Sequence, residues 1–418
     1  MRIGIIGGGC AGLVTAWLLQ GQHEVTLFER APRLGGHGWT VDVALADGSS
    51  LPIDVGVEFF GDGASYPMLH RLLQFLDVPL RATSVGATIH GEDRRSIVFP
   101  PWGGQRLDWR AFTPAALADC VRFGRFLRKV ARSDRAALRG MSLRRYLESL
   151  GLPERFLQQM ILPLLQAHFG MKRALLWDGD ADDLVQYCRI MAPDGLKPRP
   201  IFNIPGGVRR YVEALRKRLE GIRMRLGADI VRTERTAAGY AVRLGDGESW
   251  ECDQLIIAAG PDAAPRLLPA GTPVDGLRAA LAAMTLFDAR IALHGDQGVM
   301  PRDRRRWSKF NIEDCEGESA LTVWHRGAGR QSVFRSWAGH HARALEPLYG
   351  TFDFHHPLVN ESYHRAQNHI RARQGEDGLW IAGAYAAGND SHESAIASAV
   401  AVARRLAPAS PGLARLAA

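Results

Sequence analysis

Arg2-Ile3-Gly4-Ile5-Ile6 runs into Gly7-Gly8-Gly9-Cys10-Ala11-Gly12, continues as Leu13-Val14-Thr15-Ala16-Trp17-Leu18-Leu19, and returns as Glu24-Val25-Thr26-Leu27-Phe28-Glu29. The order is a short buried strand, a G-x-G-x-x-G turn, a helix, a second strand and an acid at its end. Each part has a physical task in holding a dinucleotide. Gly7 makes the tight turn, Gly9 lets backbone N–H groups approach a pyrophosphate, and Gly12 lets helix and strand pack closely. The helix start, at Cys10 and Ala11, offers unpaired N–H groups and the positive end of the helix dipole to the phosphates. Glu29 can accept hydrogen bonds from both ribose hydroxyls and would repel a 2′-phosphate, which makes NADP a poor fit. A glycine triplet by itself is a weak signal; between a strand and a helix, with the acid following, it is a strong one.

Just beyond lie Arg33-Leu34-Gly35-Gly36-His37 and, after an expected hairpin over Trp39–Ile53, Asp54-Val55-Gly56-Val57-Glu58. From Gly7 to Gly36 the chain resembles the flavin amine oxidase and phytoene desaturase superfamily, in which Arg-x-Gly-Gly follows the acid and the nucleotide is FAD. The resemblance implies FAD contacts from Gly7, Gly9, Cys10, Ala11, Gly12, Glu29, Arg33, Gly35 and Gly36. The superfamily has arginine or a similar residue after the two glycines, whereas this chain has His37. The segment Gly56-Val57-Glu58 would approach the flavin ring, with Glu58 either a buried acid beside it or the partner of an arginine.

A second glycine-bearing stretch, Gly378–Tyr385, leads into Ser391-His392-Glu393-Ser394-Ala395-Ile396 and a small-residue helix running to about Leu406. Small side chains at a helix start let a planar ring lie against its N–H groups, and the dipole can stabilise negative charge on a reduced flavin. The superfamily arrangement implies contacts from Gly383, Ala384, Glu393, Ser394, Ala395 and Ile396, with Ala384 standing where the usual acid would be. It also implies that Ile230-Val231 passes beneath the adenine, the Val231 backbone being the contact, and that Gly260 ends a nucleotide-lobe strand. Gly383-Ala384-Tyr385 and His392-Glu393, with Ile204–Val212 and Met300-Pro301, are similar to a bacterial group of predicted NAD/FAD-binding, amine-oxidase-like proteins often found with fatty-acid-modifying functions. Where that group tends to carry Trp-x-Ser-Trp-Asn, this chain has Trp307-Ser308-Lys309-Phe310-Asn311.

The expected fold is α/β: a Rossmann-type FAD-binding lobe of amine oxidase (GR2-like) topology with an interwoven α+β substrate lobe. The segments are 1–62, 203–264 and 372–408 for the FAD lobe, 63–202 (mostly helical) and 265–371 (sheet-containing) for the substrate lobe, and a tail at 409–418. Apolar spacing predicts helices over Pro67–Leu76, Pro114–Ser133, Leu143–Leu150 (capped by Ser142), Glu154–Ala167 and Gly206–Leu219. Strands are expected at Arg223–Arg225, Tyr240–Leu244 and Gln254–Ala258.

For chemistry, a flavin dehydrogenase needs little from side chains beyond orienting a C–H bond, with a base as an aid. Tyr385 and His392 flank the C-terminal motif and are the leading catalytic candidates together with Glu58; packing is the alternative for each. His168, Trp324 and His325 are further pocket candidates. His355, His356 and His364 lack the spacing of a metal site, so no metal is expected. Arg302–Arg306 beside Trp307 would suit a membrane surface, a carrier or an acyl carboxylate, or be a solvated loop.

The 418 residues, 46% hydrophobic and 23% charged, are those of a globular chain. Of its 52 basic residues only Lys129, Lys172, Lys197, Lys217 and Lys309 are lysines, and the net charge is +8. No nucleic-acid motif accompanies that charge. The scattered cysteines and the apolar N-terminus, which reads as a folded element, point to the cytoplasm, with peripheral membrane contact allowed. The leading function is an FAD-dependent oxidoreductase removing hydride from an apolar, acyl or lipid-like small molecule. The alternatives are a peroxide-forming amine oxidase, a flavin-bound double-bond isomerase, and a non-catalytic flavin-binding accessory protein. Superfamily oxidases usually carry a lysine that holds a water near the flavin, and the comparable strand Phe287–Leu293 offers Arg290 instead.

Overall fold

The computed structural model describes residues 1–418 apart from 84–85, 92–93, 101–108, 110–111, 193–198, 271–273, 327–330, 342 and 418. The strands β1 (Arg2–Ile6) and β2 (Glu24–Glu29) flank the helix α1 (Cys10–Leu19), as the apolar pattern predicts. They sit in a five-stranded parallel sheet in the order Leu379–Ile381, Gln254–Ile257, β1, β2, Arg223–Leu226. Parallel strands covered on both faces read as continuous apolar runs, and β1 is buried from Ile3 to Ile6. Every residue of α1 is buried, so it has no polar face. It is enclosed by the sheet and by the helices Arg209–Lys217, His392–Leu406 and Pro411–Ala417. A three-stranded antiparallel meander (Ile230–Thr236, Gly239–Leu244, Ser249–Cys252) lies between the Arg223–Leu226 and Gln254–Ile257 strands in sequence.

The second large element is a seven-stranded sheet, ordered Leu348–Pro357, Leu286–His294, Ser332–Trp337, Glu318–Arg326, Phe310–Cys315, Ala87–Gly91, Arg94–Phe99. The last two are strands within the otherwise mostly helical segment 63–202: they form a hairpin whose first strand runs parallel to Phe310–Cys315. Ile89 is fully buried there, and these short strands gain their stability from a distant partner, which no local pattern records. Helices do fill the remainder, among them Pro67–Phe75 (α2), Pro114–Ala131 and Leu143–Ser149. Thr113 and Ser142 cap the latter two by accepting from the N–H groups of Ala116 and Arg145.

Three further boundaries differ from the apolar pattern. The Glu154–Ala167 helix passes through a π turn at Leu157–Ile161 before continuing as Leu162–Phe169, next to Pro163, which has no N–H to give the carbonyl four residues back. The helix expected from Gly206 starts at Arg209 because Gly206 (φ +84) and Gly207 (φ +88) are left-handed. Residues 409–418 are not a loose tail: Pro411–Ala417 is a helix, with Leu413 and Leu416 buried three apart on one face.

Candidate functional site

The sequence motifs from both ends of the chain meet at the C-terminal edge of the parallel sheet, where ligands bind in doubly wound folds. Gly7 has φ +116, and a Cβ there would lie 2.5 Å from the Ala258 carbonyl oxygen; at Gly12 it would lie 1.9 Å from that of Gly7. The turn is therefore closed to side chains on its inner side. On the outer side Gly9, the residue before α1, makes no side-chain cap, and a Cβ there would meet nothing nearer than Gly36 Cα at 3.9 Å. The first N–H groups of α1 thus face an open cradle without an internal partner, which suits a pyrophosphate.

The second glycine pair completes this cradle. Gly35 donates its N–H to the Gly8 carbonyl at 2.8 Å. Arg33 reaches the Gly36 carbonyl at 3.1 Å while lying 3.8 Å over the Trp39 ring. Glu29 accepts from the N–H groups of Gly8 (2.6 Å) and Ala31 (2.7 Å), which fixes its carboxylate at the end of β2 with lone pairs left for ribose hydroxyls. Val231 sits at a β-bulge between Ile230 and Arg232, so its backbone is outside the strand ladder, and its side chain is 63% exposed. Gly260 lies three residues beyond the end of the Gln254–Ile257 strand, and its carbonyl accepts from the N–H groups of Ala263 and Ala264.

From the other end, the Leu379–Ile381 strand pairs with Gln254–Ile257, and Ala382 donates to the Ile257 carbonyl. Gly383 N–H bonds the Ser398 hydroxyl at 2.9 Å, and Ser391 caps the helix His392–Leu406, which packs on α1. The cradle, the acid and the second helix start match the demands of FAD.

A family model for flavin-containing amine oxidoreductases matches residues 10–287. The chain belongs to that family. Its members are FAD-dependent oxidoreductases, and this protein is one. Solved structures agree on the fold. A protein assigned as a protoporphyrinogen oxidase from Exiguobacterium sp. 255-15 superimposes with TM-score 0.65 at 17% identity, covering 97% of this chain and 98% of that one. Putrescine oxidase bound to putrescine gives 0.66 at 13%, covering 97% and 99%. Cyclohexylamine oxidase from Brevibacterium oxydans IH-35A gives 0.62 at 15%, covering 97% and 99%. No curated protein matches by sequence.

The remaining site residues of this amine oxidase family member fall into distinct environments. The Glu393 oxygens accept from the N–H groups of Met68 (2.9 Å) and Leu69 (3.0 Å), so this side chain caps α2 and is already engaged. Ser394 bonds Ser391, and Ala395 and Ile396 are buried in the core around α1, leaving only their backbone for a cofactor. Ala384 opens a single helical turn, Ala384–Ala387. Tyr385 is 3% exposed, and its hydroxyl donates to the Ala259 carbonyl at 3.0 Å; burial pushes its pKa far up, and the geometry is that of a strut between two strand ends.

His392 is 2.8 Å from the Tyr211 hydroxyl, and burial pushes it down to about 4. Burial also drives Cys10 up to about 12, Tyr211 beside it opposing. Cys10, Tyr211 and His392 thus form a neutral chain between the two helix starts. His37 lies between Phe354 and His356 and is pushed by burial to about 4, while its carbonyl accepts from Trp39 and Val57. A Cβ on Gly56 would be 2.0 Å from that carbonyl, which locks the Asp54–Glu58 segment against the glycine loop.

Glu58 is the charged centre of the substrate side. Its carboxylate, 5% exposed, lies 3.4 Å from Lys309 Nζ, 3.3 Å from Arg335 Nε and 3.6 Å from His325 Nε2. Burial raises its pKa, but proximity to His325, then Lys309 and Arg335, outweighs it and holds the carboxyl below its ordinary value. Burial pushes His325 down to about 3, so near pH 7 this imidazole is neutral and the charge partners of Glu58 are Lys309 and Arg335. The arginine-partner alternative for Glu58 is therefore the observed one. Arg290, by contrast, points outward and pairs with Asp353 at 2.6 Å.

Glu58, Lys309, Trp324 and His325 line a cavity of about 530 Å³, whose far wall includes Asp54, Gly206 and Gly207. Lys309 and Arg335 were not singled out by pattern: Lys309 lies in the variant Trp-Ser-Lys-Phe-Asn run, but nothing local places it beside residue 58. His168 packs against Tyr187 with ring centroids 4.0 Å apart and planes tilted by 39°. His355, His356 and His364 have separate acids, Asp288, Asp390 and Asp180 in turn. Of the basic run, Arg305 pairs with Asp303 and Arg304 lies over Trp307. Among the described residues no helix is long and apolar enough to cross a membrane.

Proposed function

We propose that the protein removes a hydride from one carbon of a largely apolar, acyl-type substrate and a proton from the adjacent carbon, leaving a double bond, with the ionised Glu58 carboxylate at the cavity as the proton acceptor. Bound FAD supplies the hydride acceptor; the chain supplies orientation, exclusion of water and a fixed electrostatic setting. The observation that carries this reading is the cavity beside Glu58, which joins apolar wall from Leu51, Pro52, Trp307 and Trp324 to the cations Arg81, Lys309 and Arg326. Burial takes His37, His392 and His325 to about 4, 4 and 3, so none is tuned to hold a proton near pH 7. The imidazoles leave Glu58 as the group that takes the proton, and the lining cations Arg81, Lys309 and Arg326 disfavour an ammonium substrate. Arg290, turned away onto Asp353, supports the same reading, since it leaves that strand without a cation beside the cleft.

The second reading is amine oxidation, favoured by the likeness to putrescine and cyclohexylamine oxidases and by Lys309, a lysine 20% exposed at the cavity. Anaerobic titration of the yellow enzyme decides between them. Loss of the flavin band near 450 nm with a saturated acyl chain, and no peroxide from amines in air, is the expected result. Amine-dependent peroxide with no bleaching by acyl chains overturns it in favour of the oxidase. Product formed without bleaching overturns it in favour of an isomerase, and a preparation that takes up FAD but turns over nothing favours an accessory role.

A further inference from the structure

The cavity beside Glu58 is built for charge. Its lining includes the cations Arg81, Lys309 and Arg326 against the acids Asp54 and Glu58, with Arg335 behind Glu58. The acids are already engaged. Glu58 is shared by Lys309 and Arg335, and Asp54 accepts from the Thr40 hydroxyl at 2.6 Å and the Val208 N–H at 2.9 Å. Burial pushes Asp54 up to about 7, which further reduces the negative charge it presents. Arg81 and Arg326, both exposed at the cavity, have no acidic partner among the described residues; Arg326 lies over the Trp324 ring at 4.5 Å.

Among the described residues, two buried polar atoms of the cavity wall lack a hydrogen bond, Asn203 Oδ1 and Trp324 Nε1. Glu58 Oε2, His325 Nε2 and Arg335 Nε are also outside hydrogen-bond geometry, but they form an ion cluster, with Glu58 Oε2 3.6 Å from His325 Nε2 and 3.3 Å from Arg335 Nε. Buried polar groups are almost always satisfied, and two exceptions in one wall point to an occupant. The wall supplies apolar surface as well, from Leu51, Pro52, Trp307 and Trp324. The volume falls within the range of small-molecule sites, roughly 300–1,000 Å³.

We propose that this cavity is the head-group site of the substrate and that the head group is a carboxylate held by Arg326, Arg81 and Lys309. Four cations, Arg81, Lys309, Arg326 and Arg335, against the two acids leave a net positive wall that selects an anion, and a carboxylate is the anion an acyl chain carries. A protonated amine would meet three lining cations and is rejected. This assignment deepens the acyl-chain reading above and rests on it for the rest of the substrate.

Calorimetric titration of FAD-loaded enzyme with decanoate, decylamine and decanol tests the assignment, since heat of binding reports a head-group site without requiring turnover. Decanoate is expected to bind with an affinity that falls as salt rises. The double variant Arg81→Gln/Arg326→Gln is expected to weaken it by about tenfold or more, the scale of a lost charge-assisted hydrogen bond, and Arg326→Lys to recover part of that loss. Decylamine binding as tightly as decanoate, or decanoate binding unchanged in the double variant, overturns the proposal. Arginine-dependent decanoate binding without anaerobic bleaching supports the head-group site while removing the desaturation reading. Bleaching by decanoate that is equal in wild type and double variant does the reverse.

Discussion

Replacing Glu58 with Gln removes the formal negative charge between Lys309 and Arg335 while keeping the shape of the side chain. The two contacts are 3.4 and 3.3 Å. At an effective dielectric of about 20 each is worth roughly 5 kcal/mol of Coulomb energy, most of it offset by the cost of taking the charges out of water. What remains visible on breaking a buried pair is about 3–5 kcal/mol, because a buried guanidinium is left uncompensated. We therefore expect Glu58→Gln to lose about that much stability in urea unfolding of the FAD-loaded protein at pH 7. Pairing holds the folded-state pKa below the unfolded value of roughly 4.3, so this stability is fully present above that pH and disappears as pH falls through the folded value. The gap between wild type and variant should thus be constant from pH 7 to 5 and close only below about pH 4. In a double-mutant cycle with Arg335→Gln the coupling should exceed about 1 kcal/mol. A loss under about 1 kcal/mol at pH 7, a gap unchanged at low pH, or additive single variants would refute the idea that Glu58 is held as an ion-paired carboxylate.

Other expected outcomes follow from the same geometry. Glu29→Ala should lower the FAD content of purified protein, read as the ratio of absorbance near 450 nm to that at 280 nm, and full occupancy would remove its ribose role. Gly12→Ala places a Cβ 1.9 Å from the Gly7 carbonyl oxygen, so it should yield colourless or unfolded protein. Glu393→Gln should cost about 1 kcal/mol through the α2 cap, with FAD content unchanged; colourless protein would restore a cofactor role for Glu393. Asp54, raised to about 7 by burial, is protonated in the fold while the unfolded chain ionises near 3.8, so native stability falls as pH rises from about 4 to 7. Asp54→Asn should accordingly match wild type near pH 4 and become relatively more stable by pH 8; thermal melts at both values check the sign.

How far the site could be read from the chain varied with the kind of residue involved. Gly7, Gly9, Gly12 and Glu29 have their roles set by a contiguous strand–turn–helix–strand unit, whose contacts are local. Glu393, in contrast, lies in an equally specific motif, yet its carboxylate caps a helix over 300 residues away in sequence. Tyr385 flanks the flavin motif, and its hydroxyl is spent on the Ala259 carbonyl. Ala87–Gly91 has no signal of its own, because its pairing partner is Phe310–Cys315.

The sequence by itself determined the dinucleotide turn, the acid that ends β2, the second glycine pair and the return of the chain to the same sheet at its C-terminus. Those features depend on backbone conformations that only glycine allows and on apolar runs long enough to register locally. It also showed that lysine is scarce. Only the tertiary structure brought one of those few lysines, Lys309, beside Glu58 with Arg335, turned Arg290 outward onto Asp353, and opened the charged cavity between them. Charge at a site is a sum over neighbours from distant strands, and burial then decides which of those groups stay ionised; neither quantity is carried by any stretch of chain.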